Sequence, residues 1–163
     1  MIHLQEIDVL RAQLVDALEE IATLKEMVAA TPTFLAVPYI SLRATANAGN
    51  GKCLSWPTVV HNSSPEVFQA ATTKITVLQA GVYQIHFRLG VINATNGHAT
   101  FLQVNGANVA QAYLSDASGH YNTEQLTEIL VLEANDELTV MNQCTNSNVI
   151  TTLNTVFTVL KFG

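Results

Sequence analysis

The sequence predicts an all-β sandwich or jelly roll in residues 32–163, preceded by one α-helix in residues 1–31. In the first thirty residues, apolar side chains recur every seven positions, and neither Gly nor Pro occurs before Pro32. Beyond Pro32, apolar and polar residues alternate, and clusters of Asn, Gly, Asp and Ser separate the runs. A period near 3.5 indicates a coiled-coil helix and a period of 2 indicates strands, so the change marks a boundary between two regions.

The N-terminal repeat carries the apolar positions of a coiled coil. Leu18, with Leu4, falls at the e position and widens the apolar stripe, which favours three helices over two. Glu20 at g and Lys25 at the following e can pair between chains. The pattern therefore predicts a short trimeric coiled coil, and the alternative is a helix docked on its own domain. The a and d positions are occupied by Ile7, Leu10, Leu14, Ala17, Ile21, Leu24 and Val28.

The region after Pro32 alternates with the period of a β-strand. Tyr83, Ile85, Phe87 and Leu89 alternate with polar neighbours. The dipeptide 105–106, Asn-Gly, predicts a tight hairpin, because both residues tolerate positive φ. Many short strands with regular turns and no helical run are typical of a two-sheet sandwich or jelly roll.

One strand is apolar on both of its faces. Ile129 and Val131 face away from Leu130 and Leu132. A sandwich whose outer faces meet water shows a cleaner alternation. We therefore predict that Ile129 and Val131 contact other subunits, because apolar surface on a soluble protein commonly becomes an interface.

The composition excludes several classes of function. The chain has a formal net charge of −6 and only 12% charged residues, which argues against binding nucleic acid through phosphates. No apolar run is long enough for membrane insertion. The N-terminus lacks a basic start and an apolar run, so we expect no signal peptide.

The sequence contains few motifs typical of catalytic or metal-binding sites. Five histidines form no His-x-His or His-Glu-x-x-His pattern, and no nucleophile motif is present, so we predict no enzyme and no cofactor. The acids form no calcium-binding cluster, although threefold symmetry could gather one acid per chain on an axis. Cys53 and Cys144 form no CxxC motif, and we expect two reduced thiols rather than a disulfide.

An ordered series of motifs resembles the globular head of complement component one q. Its central signature is similar to residues 75–87 (ITVLQAGVYQIHF), where a strand leads into a Gly-x-Tyr turn. Two departures are Asn135 in place of a glycine and a closing strand without Phe-x-Gly. The other similar segments are Pro38–Leu42, Trp56–Asn62, Phe101–Gly106, Leu130–Asp136 and Val156–Leu160.

The resemblance implies a ten-stranded jelly roll of the tumour necrosis factor type, assembled as a homotrimer. Members of this superfamily carry the head on a trimerising stalk, and here the heptads would be that stalk. They bind proteins, glycans or cell surfaces and are not enzymes.

The predicted function is a homotrimeric surface module, such as a virion fibre, knob or coat protein, that recognises a protein or glycan receptor by multivalent contact. Its location would be extracellular or on a particle surface. The alternatives are a secreted cytokine- or complement-type ligand and a purely structural trimerisation cap. Candidate binding residues, assigned to loops rich in polar and aromatic side chains, are His98, Tyr113, His120 and Tyr121.

Overall fold

The computed structural model describes residues 2–30, 37–44, 51–94, 98–114, 117–143, 148–150 and 155–162. Side chains are described at 7–26, 37–44, 51–91, 99–113, 122–143 and 155–162. The chain divides into two compact units, Met1–Ala36 and Val37–Gly163.

The first unit contains one long helix, α1 (Ile2–Ala30). Its sequence lacks Gly and Pro, and straight-chain residues with high helix propensity dominate it. Every side chain described on the helix is exposed.

The second unit, which we call the head, contains strands and no helix among its described residues. Its two sheets are antiparallel and have six strands each. The predicted fold class is confirmed. The predicted count of ten strands is approximately right, because the additional strands include very short ones: β2 has two residues and β11 has three. The strands are β1 (Tyr39–Arg43), β2 (Lys52–Cys53), β3 (Thr58–Asn62), β4 (Phe68–Ala70), β5 (Lys74–Val77), β6 (Gly81–Ala94), β7 (His98–Val104), β8 (Ala107–Leu114), β9 (Ala117–Leu132), β10 (Glu137–Asn142), β11 (Asn148–Ile150) and β12 (Val156–Phe162).

Sheet 1 is built around β6. Strand β9 pairs with β6 along nearly its whole length, whereas β12 and β11 pair with different parts of β6. Strands β11 and β12 therefore share the other side of β6, followed by β1 and β3. Strand β9 is consequently an edge strand of sheet 1 within the described chain.

Sheet 2 has the order β4, β5, β10, β7, β8, and β2 also pairs with β10. Its edge strand β8 lies next to β9, the edge strand of sheet 1. The two sheets therefore meet along an edge formed by β8 and β9.

The core lies between the sheets and is aromatic at its centre. Trp56 packs against Phe157 with ring centroids 5.3 Å apart, and Phe68 meets the edge of Tyr83 at 6.0 Å. Tyr83, Ile85, Phe87 and Leu89 are fully buried, which confirms the predicted alternation along β6. The Tyr83 hydroxyl donates a hydrogen bond to the Gln79 carbonyl at 2.5 Å, so its buried polar group is satisfied.

The β7–β8 hairpin has the predicted Asn-Gly turn. Asn105 and Gly106 have φ angles of +51° and +81°, the left-handed values that a tight hairpin requires. The Asn105 side chain donates to Asp136 Oδ1 at 2.7 Å and accepts from the Glu137 amide at 2.9 Å. The turn of this hairpin is therefore bound to the turn between β9 and β10.

The segments expected to form loops around His98, His120 and Tyr121 lie largely in strands where the structure describes them. Strand β6 continues to Ala94, β7 begins at His98, and β9 begins at Ala117. The β6–β9 ladder continues past a bulge to the pair of Ala94 and Ala117. Pairing in the long β6–β9 ladder overrides the turn preference of isolated Asn, Ser and Gly residues.

Candidate functional site

The strongest candidate for a functional surface is the outer face of sheet 1, the face that points away from the core. Its apolar end begins with Val82, which lies between Phe162 and Val131 in the strand register. Val131 is 76% exposed, and Val82 and Phe162 are each 39% exposed. Three neighbouring apolar side chains on this face are thus exposed to solvent.

The next row across the sheet extends this apolar end. Gln84 lies between Leu160 and Ile129, and Ile129 is 62% exposed. Tyr39, opposite Leu160, stacks on His61 with ring centroids 4.6 Å apart. The predicted contact residues Ile129 and Val131 therefore lie on an apolar surface shared by several strands.

The middle of the face carries polar side chains, among them His86. His86 lies between Thr158 and Thr127, and its Nδ1 is 2.9 Å from the Thr127 hydroxyl. The Thr158 hydroxyl donates to Ser41 Oγ on the next strand at 3.3 Å. The polar side chains in the middle of the face are thus hydrogen-bonded to one another within sheet 1.

The far end of the face carries two arginines. Arg43 on β1 and Arg88 on β6 flank Val156 on the strand between them. The described positions that face outward on β1, β6, β9 and β12 include no Asp or Glu. In a chain of net charge −6, this face is therefore locally basic.

The helix presents a second uncovered apolar surface. The predicted contact positions are 46% to 63% exposed in the single chain. These are Ile7, Leu10, Leu14, Leu18, Ile21 and Leu24, and the Val28 side chain lies outside the described residues.

The four predicted binding residues lie in strands rather than in loops. Tyr113 on β8 is opposite Ala99 and is 64% exposed. His98 begins β7, and His120 and Tyr121 belong to β9, with Tyr121 opposite Ile92. The side chains of His98, His120 and Tyr121 lie outside the described residues. Of the four predicted binding residues, only Tyr113 has a described side chain, and it is exposed.

The described residues offer little for catalysis. They contain no group of three or more His, Cys, Asp or Glu that could hold a metal ion. Cys53 is a free, half-buried thiol 4.0 Å from Gln103 Oε1, and Cys144 lies outside the described residues. Burial raises the pKa of Tyr83, whose hydroxyl faces a backbone carbonyl and no reactive partner.

A shallow pocket beside Trp56 also lacks the titratable side chains that catalysis needs. It encloses about 270 Å³ and is lined by Trp56, Pro57, Val59, Ala70, Ala71 and Thr72. No titratable side chain lines it. Among the described parts of the chain, we find no helix with the length and apolarity needed to cross a membrane.

The arginine and histidine rows were not predicted as a site. The sequence shows Gln84, His86 and Arg88 on one side of a strand. The missing information was the strand register, which brings Arg43, from a segment 45 positions before Arg88, onto the same row.

Comparison with solved structures shows which fold this is. Murine APRIL at pH 8.0 matches with a TM-score of 0.68 and 14% identity, over 77% of this chain and 99% of that chain. The TNF protein Eiger from S. frugiperda matches with a TM-score of 0.62 and 13% identity, over 78% and 93% of the two chains. The globular domain of zebrafish complement 1qA matches at 0.61 and 14%, over 77% and 98%.

The head has the TNF- and complement-1q-like jelly-roll fold. The predicted resemblance is thereby confirmed. No protein-family model matches the sequence, and no curated protein matches it. The identities of 13% to 14% establish a shared fold and nothing more about activity.

Proposed function

We propose that this protein is a homotrimeric, non-enzymatic binding module that acts outside the cell or on a particle surface. The observation that carries the proposal is the pair of apolar surfaces left uncovered in the single chain. One is the heptad stripe of α1, and the other is the apolar end of the outer face of sheet 1 around Ile129 and Val131. Both surfaces are costly to expose to water.

The helix supports assembly in a defined register. An isolated helix is marginal in water unless its apolar face is covered. Pairing Glu20 with Lys25 of a second helix requires parallel chains. Parallel helices bring all heads to the same end of the assembly, which is the arrangement a multivalent binder needs.

Three chains account for the sequence and the fold better than two. Leu18 at an e position is 57% exposed and widens the stripe beyond a two-helix seam. The head also shares its fold with Eiger TNF and with the complement 1qA globular domain, and the resemblance of the sequence to this superfamily implies a homotrimer.

The solution mass tests the assembly directly. Light scattering coupled to size-exclusion chromatography is expected to give three times the chain mass of 17.6 kDa. A mass of one chain at all concentrations would contradict the proposal, because both apolar surfaces would then be stable in water.

Multivalent recognition of a protein or glycan is the proposed activity. Three identical heads multiply a weak single-site affinity into avidity. A glycan array and a cell-binding screen are expected to detect the trimer. A monomeric form at the same head concentration is expected to give a signal at least about 100-fold weaker. Equal signals from both forms would contradict multivalent binding.

The location has two candidates. The Thr- and Asn-rich, charge-poor composition favours a virion or particle surface. The shared fold with APRIL and with Eiger TNF supports the second candidate, a secreted ligand that binds a protein receptor. Immunogold electron microscopy distinguishes them, because only the first predicts label on particles.

A further inference from the structure

The outer face of sheet 2 carries a surface of uncharged amide and aromatic side chains. Thr100 and Leu102 on β7 are fully buried, so Phe101 and Gln103 point outward, away from the core. The strand register places these outward residues of β7 beside those of β8 and of β10 with the residue that follows it. We call this surface the amide face, and it consists of Phe101, Gln103, Asn108, Gln111, Tyr113 and Gln143.

Tyr113 provides an accessible aromatic ring at one end of the amide face. Its side chain is 64% exposed, and the residue opposite it on β7 is Ala99, whose methyl group is too short to cover the ring. On the other side of Ala99 lies Gln143, whose backbone amide donates a hydrogen bond to the Ala99 carbonyl at 2.9 Å. Most of the ring is therefore available to a ligand that lies above Ala99.

The centre of the amide face is held in place by Gln103. This side chain is only 8% exposed, and its Nε2 donates to Asn108 Oδ1 at 2.8 Å, while its Oε1 accepts from the Thr139 hydroxyl at 3.0 Å. Because the Asn108 oxygen accepts this bond, the N–H groups of the exposed Asn108 amide point away from Gln103. A side chain that is already ordered loses less conformational entropy when it binds a ligand.

The amide face has no charged side chain. Among the described residues that point outward on β5 and β10, the charged ones are Lys74 and Glu137, and they form an ion pair with each other. Gln111 and Gln143 are exposed, and each side-chain amide offers an oxygen acceptor and two N–H donors. An anionic ligand would find no Lys or Arg here, and the net charge of −6 would repel it.

These groups match an uncharged carbohydrate. A sugar ring has a face of C–H groups that packs on an aromatic ring, and its neighbouring hydroxyls both donate to and accept from a side-chain amide. A protein partner matches less well, because protein interfaces gain most of their binding energy from Trp, Tyr and Arg anchors in desolvated pockets. Tyr113 is the one residue of these types on the amide face.

We propose that the amide face binds a neutral glycan, with Tyr113 stacked on a sugar ring and with Gln111 and Gln143 hydrogen-bonded to its hydroxyls. The proposal rests on the proposed binding function and adds the site and the chemical class of the ligand. The apolar surfaces proposed for assembly lie on α1 and on sheet 1, so the outer face of sheet 2 is left open. A trimer then displays three such sites, which increases the avidity for a repeated glycan.

The test starts with the full-length protein on an array of neutral, sialylated and sulfated glycans, and the glycans bound are expected to be neutral. The best-bound neutral glycan is then titrated into each variant by calorimetry, which gives the Kd of the single site. Tyr113→Ala is expected to raise this Kd at least about 10-fold and Gln111→Ala at least about fivefold. Tyr113→Phe keeps the ring and is expected to raise the Kd less than about threefold.

Matched controls separate the site from general effects of substitution. Gln69 is exposed on β4, at the opposite edge of sheet 2, and Gln69→Ala is expected to leave the Kd unchanged. Raising NaCl from about 50 to about 500 mM is expected to change the Kd less than about twofold, because no charge pair is screened. Circular dichroism reports whether each variant is folded. If Tyr113→Ala or Gln111→Ala fails to fold, Gln143→Ala is titrated in its place, with the same fivefold loss expected.

The outcomes separate this proposal from the proposed function. Binding restricted to sialylated or sulfated glycans overturns the neutral class, and neutral binding that is unchanged in both Tyr113→Ala and Gln111→Ala overturns the site. The binding module stands in both cases. An array without any bound glycan also overturns the proposal, and cell binding that then requires Tyr113 and is lost when the cells are treated with protease assigns the amide face to a protein partner. No binding to the array or to any cell overturns the proposed function as well.

Discussion

The helix and the head differ in where their apolar side chains go. On α1, Leu10 and Leu14 are more than 60% exposed, whereas on β6 Tyr83 and Phe87 are fully buried. The head thus buries a core with its own residues, whereas the apolar residues of α1 are exposed. Under the proposed homotrimer, the head is a self-sufficient folding unit and the helix is an association unit, and each can be broken separately.

The largest expected effect comes from breaking the helix. Replacing Ile7, Leu14 and Ile21 by Asp puts charges at three a positions and is expected to abolish the helical signal in far-UV circular dichroism. Dispersed methyl resonances in one-dimensional NMR are expected to show that the head stays folded. A head that unfolds with the helix would contradict two separate units.

A matched control uses residues on the other side of the helix. Val9 and Val15 are 56% and 54% exposed, yet they fall at c and b positions of the heptad. The V9D and V15D variants are expected to keep both the helix and the assembly. Dissociation of these controls would show that the heptad assignment is wrong.

The next effect breaks the core of the head. Tyr83→Ala removes a fully buried aromatic ring and is expected to lower the free energy of unfolding by about 3–5 kcal/mol. Tyr83→Phe keeps the ring and removes only the hydrogen bond to Gln79, which is expected to cost about 1 kcal/mol. Urea denaturation measures both, and equal losses would mean that the ring itself contributes little.

A smaller effect tests the hairpin turn. Gly106 has a φ of +81°, and a Cβ added there meets nothing within 4 Å, so Gly106→Ala strains only the backbone. We expect a loss of about 1 kcal/mol in the free energy of unfolding. Gly106→Asn, which tolerates positive φ better, is expected to lose about half as much. A neutral Gly106→Ala would argue against a left-handed turn.

The smallest effect is a dependence on alkaline pH. Burial raises the pKa of Tyr83 in the folded protein above the value of about 10 in an unfolded chain. The folded state therefore holds this proton more tightly, so its contribution to stability is complete below pH ~10 and is lost as the pH rises through the folded pKa. Urea midpoints from pH 8 to 11 are expected to fall less for Tyr83→Phe than for wild type.

Local patterns made much of the fold predictable. The absence of Gly and Pro before Pro32 fixed the extent of the helix, and Asn105 with Gly106 identified the hairpin. The alternation around Tyr83 and Phe87 identified the core side of β6. Each of these depends on residues close together in the chain.

The parts that escaped prediction depend on pairings between distant segments. The turn residues near Asn93 and Gly119 lie in the long β6–β9 ladder, because a partner strand outweighs local turn preference. Likewise, Arg43 and Arg88 share a row only through the register of β12 with its two neighbours. A sequence pattern gives the face of each strand but not which distant strand lies beside it.

Trp56 is the one tryptophan of the chain, and it is almost completely buried in the core of the head. Its fluorescence therefore reports the melting of the head and is insensitive to unwinding of α1. Recording this emission together with the helical ellipticity during one heating run would follow the two halves of the molecule by separate optical signals. The order in which they melt can then be read from the unlabelled wild-type protein.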